Sequence, residues 1–462
     1  RRYRSAVHGD ESRHSPRALF VDQTRDQFLA GTRFTADIHG RLTSGELRNR
    51  FPQLSKSWED IESEMTAARQ NDMPWRDAHN FKPAYFGGED VLEVANGALN
   101  MYLAENAIFS RTAYPSLGQY ELDVVDMMLS LLHAPQGAGG SVSSGGTESI
   151  VMSVKTAREW ARDACLVDGT PELIVPHTAH PAFDKAGHML GVKVVRMAKS
   201  PEWRADVAAM AAAVNEATIM IMGSAPPYPY GETDPIGEIA AIARAHDLWM
   251  HVDGCIGGCI LPFMRRLGEP MPDFDFAVPG VMSMSVDLHK FGYANKGVSL
   301  VLLRDAGLER YQRTSYGDWP AGVYSTANIT GSRSGGPLAS AWAVMNYLGE
   351  EGYLRVFAGQ RDIKHRLMKG IEKIEGLEII ANPHALHFFF DSKLFDIFAV
   401  ETGMAAKGWS AVRAEQPNSI MLWVNKSHQN MVEEYLADLQ TVVEDVCAGR
   451  LVAAKNSVVY VT

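Results

Sequence analysis

Ser285-Val286-Asp287-Leu288-His289-Lys290 closes an apolar run that begins at Gly280, and Gly297-Val298-Ser299-Leu300-Val301-Leu302-Leu303 opens the next. Short apolar runs bounded by glycine read as buried strands, so the turn between them places Lys290 at a strand end. A lysine there can be desolvated and made nucleophilic toward an aldehyde. A surface lysine after a strand would show the same letters, so the rest of the chain must decide.

Working outward, residues from about Asp77 to about Ala327 alternate between apolar runs and amphipathic stretches, the pattern of a parallel α/β sheet. Strands are expected at Leu173–Val175, Val192–Val195, Ile219–Met222 and Trp249–Val252, the last ending at Asp253. Helices are expected at Pro181–Leu190, closed by Gly191, and at Pro235–His246, with Asp234 as N-cap and Pro235 at its first position. Residues 1–77 are polar and Arg-rich and read as an N-terminal arm with candidate helices at Ser44–Arg50 and Trp58–Arg69. Residues 78–335 make the large domain. Residues 336–462 make an Ala-rich linking helix and a smaller C-terminal α/β domain, with a strand at Leu377–Ile380.

The 462 residues carry a net charge of −11, which argues against nucleic acid or anionic lipid as a general partner but not against an anionic substrate. The four cysteines, Cys165, Cys255, Cys259 and Cys447, lack zinc spacing, so no metal is expected and free thiols in a reducing cytoplasm are the simplest reading. No apolar run is long enough to span a membrane, and Arg1-Arg2-Tyr3-Arg4 has no apolar stretch behind it to make a secretory signal.

Open α/β sheets bind ligands at the carboxyl ends of their strands, and four places there carry chemistry. Ser144-Gly145-Gly146-Thr147-Glu148-Ser149 enters a helix, where backbone N–H groups and the helix dipole favour a phosphate; a plain glycine turn capped by Thr147 would read alike. His180 follows a strand and could stack on a planar ring or be a loop histidine. Asp253 ends a strand, where burial demands a cation or strong donor unless it only opens an Asx-turn. Lys296 stands six residues after Lys290, as an anion binder or a solvated loop residue. Phosphate cradle, ring-stacker, ring-nitrogen carboxylate and Schiff-base lysine are together what pyridoxal 5′-phosphate requires.

At these residues the sequence resembles the fold-type I (aspartate aminotransferase-like) pyridoxal-phosphate enzymes. Within them it is similar to the group II amino acid decarboxylases and, most of all, to their sphingosine-1-phosphate lyase branch. The match rests on Ser144–Ser149, His180–Ala186, His251-Val252-Asp253, Asp287–Gly297 and Gly331-Ser332-Arg333-Ser334-Gly335-Gly336, and extends from about Tyr85 to Gly408. The resemblance implies that Lys290 forms the Schiff base, Asp253 holds the pyridinium nitrogen and His180 stacks on the ring. Gly146, Thr147 and His289 would surround the cofactor phosphate, and Ser332 would complete that site from the neighbouring subunit of a homodimer. Tyr85, Asn106, Tyr228 and Lys296 occupy the places of substrate-binding residues. Where such lyases show Asn-Pro-Leu-His-Pro, this chain has Asn106-Ala107-Ile108-Phe109-Ser110, so Phe109 or Ser110 replaces a phosphate-holding histidine. Arg111 stands close enough in sequence to substitute. The resemblance implies retro-aldol cleavage of a phosphorylated long-chain base to a fatty aldehyde and phosphoethanolamine in a cytoplasmic enzyme without a membrane span. An α-decarboxylase of glutamate or an aromatic amino acid, and a non-catalytic scaffold with the same fold, are the alternatives.

Overall fold

Six expected runs and one that the apolar pattern did not indicate, β1, form one sheet: β1 Gly139–Ser143, β2 Glu172–Val175, β3 Lys193–Arg196, β4 Thr218–Ser224, β5 Trp249–Asp253, β6 Val281–Val286 and β7 Ser299–Leu303. The computed structural model describes residues 51–453 and the short paired strands Thr35–Ala36 and Leu42–Thr43, so the candidate helix Ser44–Arg50 lies outside the described residues. The sheet order is β1-β7-β6-β5-β4-β2-β3. β2 to β6 run parallel to one another, and β7 is antiparallel to both β6 and β1. The α/β class with a mainly parallel sheet is therefore what the sequence indicates.

Both faces of the sheet are covered, which explains its near-continuous apolar strands. Period-two alternation sends Leu173, Val175, Met220, Met222 and Trp249 to one face, where they meet Val154 and Phe183. Ile174, Ile221, Met250 and Val252 face the other side with Ile239 and Ala243. The helix Ala182–Leu190 ends as expected at Gly191, whose φ of +65° is the left-handed conformation that favours glycine. Val192 N–H turns back to the Gly187 carbonyl, so β3 begins one residue later than the apolar letters suggest.

Asp234 is a correction. The helix Ile236–Ala245 has Pro235 as its N-cap and no side-chain cap. The fully buried Asp234 carboxylate instead accepts the N–H groups of Ser224 and Ala205, each at 2.7 Å, tying the end of β4 to a distant segment. Burial nevertheless raises its pKa to about 6.

After β7, the helix Gly336–Ile371 is interrupted at Gly349, which sits at φ +53°. It leads to a second sheet, β8 Glu378–Ile380, β9 His387–Asp391, β10 Val412–Glu415 and β11 Asn418–Trp423, antiparallel in the order β8-β9-β11-β10. The helices Ile397–Ala406 and Val432–Cys447 accompany it. The described chain divides into two compact units between Asp72 and Met73. The first holds the helix Trp58–Ala68, capped by Ser57 Oγ, which accepts the Asp60 N–H at 3.1 Å. No described helix is long and apolar enough to cross a membrane.

Candidate active site

β6 ends at Val286, and the turn that follows brings three ionisable side chains together. Lys290 Nζ lies 3.0 Å from Asp287 Oδ2, and His289 Nε2 lies 3.7 Å from the same oxygen. Burial would push the Lys290 pKa down, but Asp287 overrides it and holds the amine well above its ordinary value. Reciprocally, burial would raise the Asp287 carboxyl, yet the Lys290 ammonium keeps it low. This corrects the expectation of a lysine made nucleophilic by desolvation alone: a buried carboxylate beside it keeps the resting amine protonated. Burial pushes His289 down to about 4, so its ring is neutral, and Nδ1 accepts the Val298 N–H at 3.3 Å.

The Gly-rich loop packs against this turn. The helix Gly146–Asp163 starts behind Gly145 with no side-chain cap, so Thr147 lies in its first turn and is not its cap. A Cβ on Gly146 would lie 2.6 Å from Asp287 Oδ2, and one on Gly145 would lie 3.4 Å from His289 Cε1. Glycine is what lets this uncapped, electropositive helix end sit directly over the Asp287–His289 turn. A Cβ on Gly292 would meet the Leu288 carbonyl, which explains the glycine that tightens the loop toward Lys296.

Asp253 closes β5 beside β6, paired in register with Ser285, and its Oδ1 accepts Ser285 Oγ at 3.2 Å and Cys255 N–H at 3.1 Å. His180 faces this corner. Burial lowers its pKa, while Asp253 pulls against that and Lys290 adds to it. Its Nδ1 accepts the Ala182 N–H at 3.1 Å, which fixes the ring at the start of a helix. Arg196, at the end of β3, clamps the same loop by donating to the carbonyls of Pro176, His177 and Ala179 and pairing with Asp184.

Lys296 donates to the His289 carbonyl at 2.8 Å, and its Nζ stands 4.6 Å from the centre of the Tyr85 ring. Burial, aided by the Lys290 charge, pushes its pKa down to about 8. Tyr85 packs edge-on against Phe291 and Trp423, and Tyr228 stacks with Trp423 and His387. The second sheet thus supplies a wall, Trp423 and His387, that local sequence patterns did not reveal.

Asn106 and Ser332 form a second group, and Arg111 lines a cavity beside it. Asn106 Nδ2 donates to Ser332 Oγ at 2.9 Å, while its Oδ1 accepts the N–H groups of Ile108 and Arg333. Arg111, Ser110 and Arg333 line a polar cavity of about 360 Å³ whose lining includes none of Lys290, Asp253, His180 or Lys296. Phe109 is half exposed and Ser110 is buried.

Glu148, present in the Gly-rich motif but given no role from sequence, ties the Gly-rich loop to the segment at Ile329 and Thr330. Its Oε2 accepts Ser144 N–H and Oγ at 2.7 and 2.6 Å, and its Oε1 accepts the N–H groups of Ile329 and Thr330 at 2.8 and 3.1 Å. Burial would raise this carboxyl, and the four donors together hold it below its ordinary value. Glu148→Gln turns an amide NH₂ toward one donor pair, so a loss of about 1–3 kcal/mol is expected by denaturant titration. That loss should shrink as pH falls through the lowered Glu148 pKa, because the native carboxylate then protonates too.

A lysine, a strand-end carboxylate, a ring and an uncapped helix end converge at one edge of a parallel sheet, and comparison with known proteins decides what they belong to. The pyridoxal-dependent decarboxylase conserved domain matches residues 44–393. The chain belongs to the pyridoxal-dependent decarboxylase family. Among relatives in this family, the sphingosine-1-phosphate lyase of Arabidopsis thaliana is 38% identical over 398 residues, covering 84% of this chain and 73% of that protein. The lyase of Oryza sativa is 36% identical over 417 residues, 89% of this chain and 77% of that protein. The solved sphingosine-1-phosphate lyase of Burkholderia pseudomallei superimposes with a TM-score of 0.83 at 36% identity, covering 87% of this chain and 94% of that one. Glutamate decarboxylase of Lactobacillus brevis, at 19% identity and a TM-score of 0.74, shares the fold.

The family's pyridoxal phosphate fits the cleft of this decarboxylase-family chain. An amine stands where an aldehyde can reach it, Asp253 offers a partner for a cationic ring nitrogen, and the helix start at Gly146 is free of a side-chain cap. The buried Asp287 Oδ1 has no hydrogen-bond partner among the described residues, as expected of a group that faces a bound one.

Proposed function

We propose that this chain is a pyridoxal-phosphate-dependent lyase that cleaves the C2–C3 bond of sphingosine 1-phosphate and related phosphorylated long-chain bases, giving a fatty aldehyde and phosphoethanolamine. The observation that carries the reading is the pairing of Lys290 with Asp287 at the end of β6, with Lys296 held over Tyr85 one loop further on. The similarity to sphingosine-1-phosphate lyases over most of the chain supports this choice over α-decarboxylation.

When bound, pyridoxal phosphate supplies an aldehyde for an amine and a ring that accepts the electron pair released from carbon. Lys290 would hold it covalently, Asp253 would keep its ring nitrogen protonated and His180 would cover the ring. The helix start at Gly146 and Thr147, with His289, would receive its phosphate. Lys290 is also the amine at the reacting end. Asp287, 3.0 Å behind it, stabilises the form that has taken up a proton, as required when the C3 hydroxyl gives one up. Lys296, Tyr85 and Tyr228 would bind the substrate.

We further propose a cytoplasmic homodimer in which Asn106, Arg111 and Ser332 serve the partner's site. The Asn106–Ser332 hydrogen bond and the separate polar cavity that Arg111 lines support this, as do four cysteines that form no disulfide. Half-exposed Phe109 projects from the same segment, so Arg111 is the anion binder in place of a histidine.

Mass spectrometry of the products from sphingosine 1-phosphate tests the assignment; aldehyde and phosphoethanolamine are expected. A pH profile tests Lys296. Its folded pKa of about 8 lies below the ordinary value, so its ammonium is present below pH 8 and lost above it. The kcat/KM for the phosphorylated substrate should therefore fall as pH rises through about 8, and Lys296→Arg should carry the plateau to higher pH.

A further inference from the structure

Trp249, His251 and Asp253 alternate along β5, so their side chains share one face of the sheet. On β6, Ser283 pairs in register with His251 and Ser285 with Asp253. The five side chains form a continuous hydrogen-bonded chain. Trp249 Nε1 donates to Ser283 Oγ at 2.8 Å, and Ser283 Oγ lies 2.8 Å from His251 Nδ1. His251 Nε2 lies 3.3 Å from Ser285 Oγ, which donates to Asp253 Oδ1 at 3.2 Å. Trp249, Ser283, His251 and Ser285 have no solvent exposure. Polar groups in a sheet centre are costly unless every member is satisfied, so such a chain needs a reason.

Its two ends set its direction. An indole N–H can only donate and an ionised carboxylate can only accept. Ser285 has one proton and gives it to Asp253, so Ser285 must accept from His251, and the ring proton must be on Nε2. His251 Nδ1 then accepts the Ser283 hydroxyl, whose oxygen accepts the Trp249 N–H. The other neutral tautomer would oppose a Ser285 lone pair to the Asp253 carboxylate. Burial pushes His251 down to about 4, against the pull of Asp253, which keeps the ring neutral.

We propose that Trp249, Ser283, His251 and Ser285 form a one-way donor relay that orients the Asp253 carboxylate, and through it keeps the ring nitrogen of the bound cofactor protonated. This rests on the role given to Asp253 above. The relay members are positioning residues: the hydrogen bonds that link them run from Trp249 through Ser283, His251 and Ser285 to Asp253.

Solid-state ¹⁵N NMR of histidine-labelled holoenzyme reads the tautomer directly, with His251 assigned by its loss in His251→Asn. A neutral ring protonated on Nε2 is expected throughout the neutral range. In Ser285→Ala the tautomer should lose its preference, the cofactor dissociation constant should rise about tenfold, and the bound cofactor's absorption should become pH-dependent. Ser285→Thr keeps the hydroxyl and should restore all three. A wild-type His251 protonated on Nδ1, or a Ser285→Ala protein with wild-type affinity and spectrum, overturns the relay. The tautomer itself is read in the wild-type protein, and His251→Asn serves only to assign its signal. None of these readouts uses turnover, so failure of the lyase reading would appear in the products and leave them unchanged.

Discussion

Lys290→Ala is expected to lower kcat toward sphingosine 1-phosphate by about 10⁴-fold or more, because it removes the residue proposed as both covalent anchor and amine at the reacting end. The same protein should lose the near-visible absorbance of bound cofactor after gel filtration and fail to retain the group after borohydride reduction. A non-catalytic scaffold predicts neither effect. The substitution also acts on stability. Asp287 is only 1% exposed and loses the ammonium 3.0 Å away, while neutral His289 cannot replace that charge. An uncompensated buried carboxylate costs about 3–5 kcal/mol. The deficit should narrow at lower pH, where Asp287 takes up a proton and the charge disappears. Denaturant titration of the cofactor-free proteins at two pH values reads this directly.

The second large effect is expected at Asp253. Asp253→Asn keeps the size of the side chain and an acceptor for Ser285 and Cys255 but removes the charge proposed above to face the ring nitrogen. A fall in kcat of about 10²–10³-fold is expected, the scale of losing one preorganised electrostatic contact to the reacting system. KM should change little, since Lys296, Tyr85 and Tyr228 are untouched. A variant that loses KM but keeps kcat would place Asp253 in substrate binding instead.

The large sheet was legible because its strands are buried on both faces and therefore spell themselves as apolar runs between turns, as at Leu173–Val175 and Ile219–Met222. Strand ends were legible for the same reason, and with them Asp253, His180 and Lys290. What lay beyond sequence was whatever depends on a partner far along the chain. Asp234 has the letters of a helix cap before proline, yet its two acceptors are claimed by Ser224 and Ala205. Glu148 looks like an ordinary first-turn carboxylate, and its second pair of donors comes from Ile329 and Thr330.

The same limit applies to charge. Lys290 read alone is a lysine to be desolvated. Only the turn geometry shows that Asp287, three residues earlier, overrides burial and keeps the amine protonated. Trp423 and His387 stand in a second, antiparallel sheet whose short strands leave weak local signals, so the aromatic wall beside Tyr85 and Tyr228 emerged from packing alone.

The central claim is that carbon–carbon cleavage between C2 and C3, and not loss of carbon dioxide, is the reaction of this site. Its most direct test is incubation of the cofactor-loaded protein with sphingosine 1-phosphate in deuterium oxide, followed by mass spectrometry. Equimolar long-chain aldehyde and phosphoethanolamine are predicted, the latter carrying a solvent deuteron on the carbon bonded to nitrogen. Absence of both products, with carbon dioxide released from glutamate or an aromatic amino acid by the same preparation, would contradict the account.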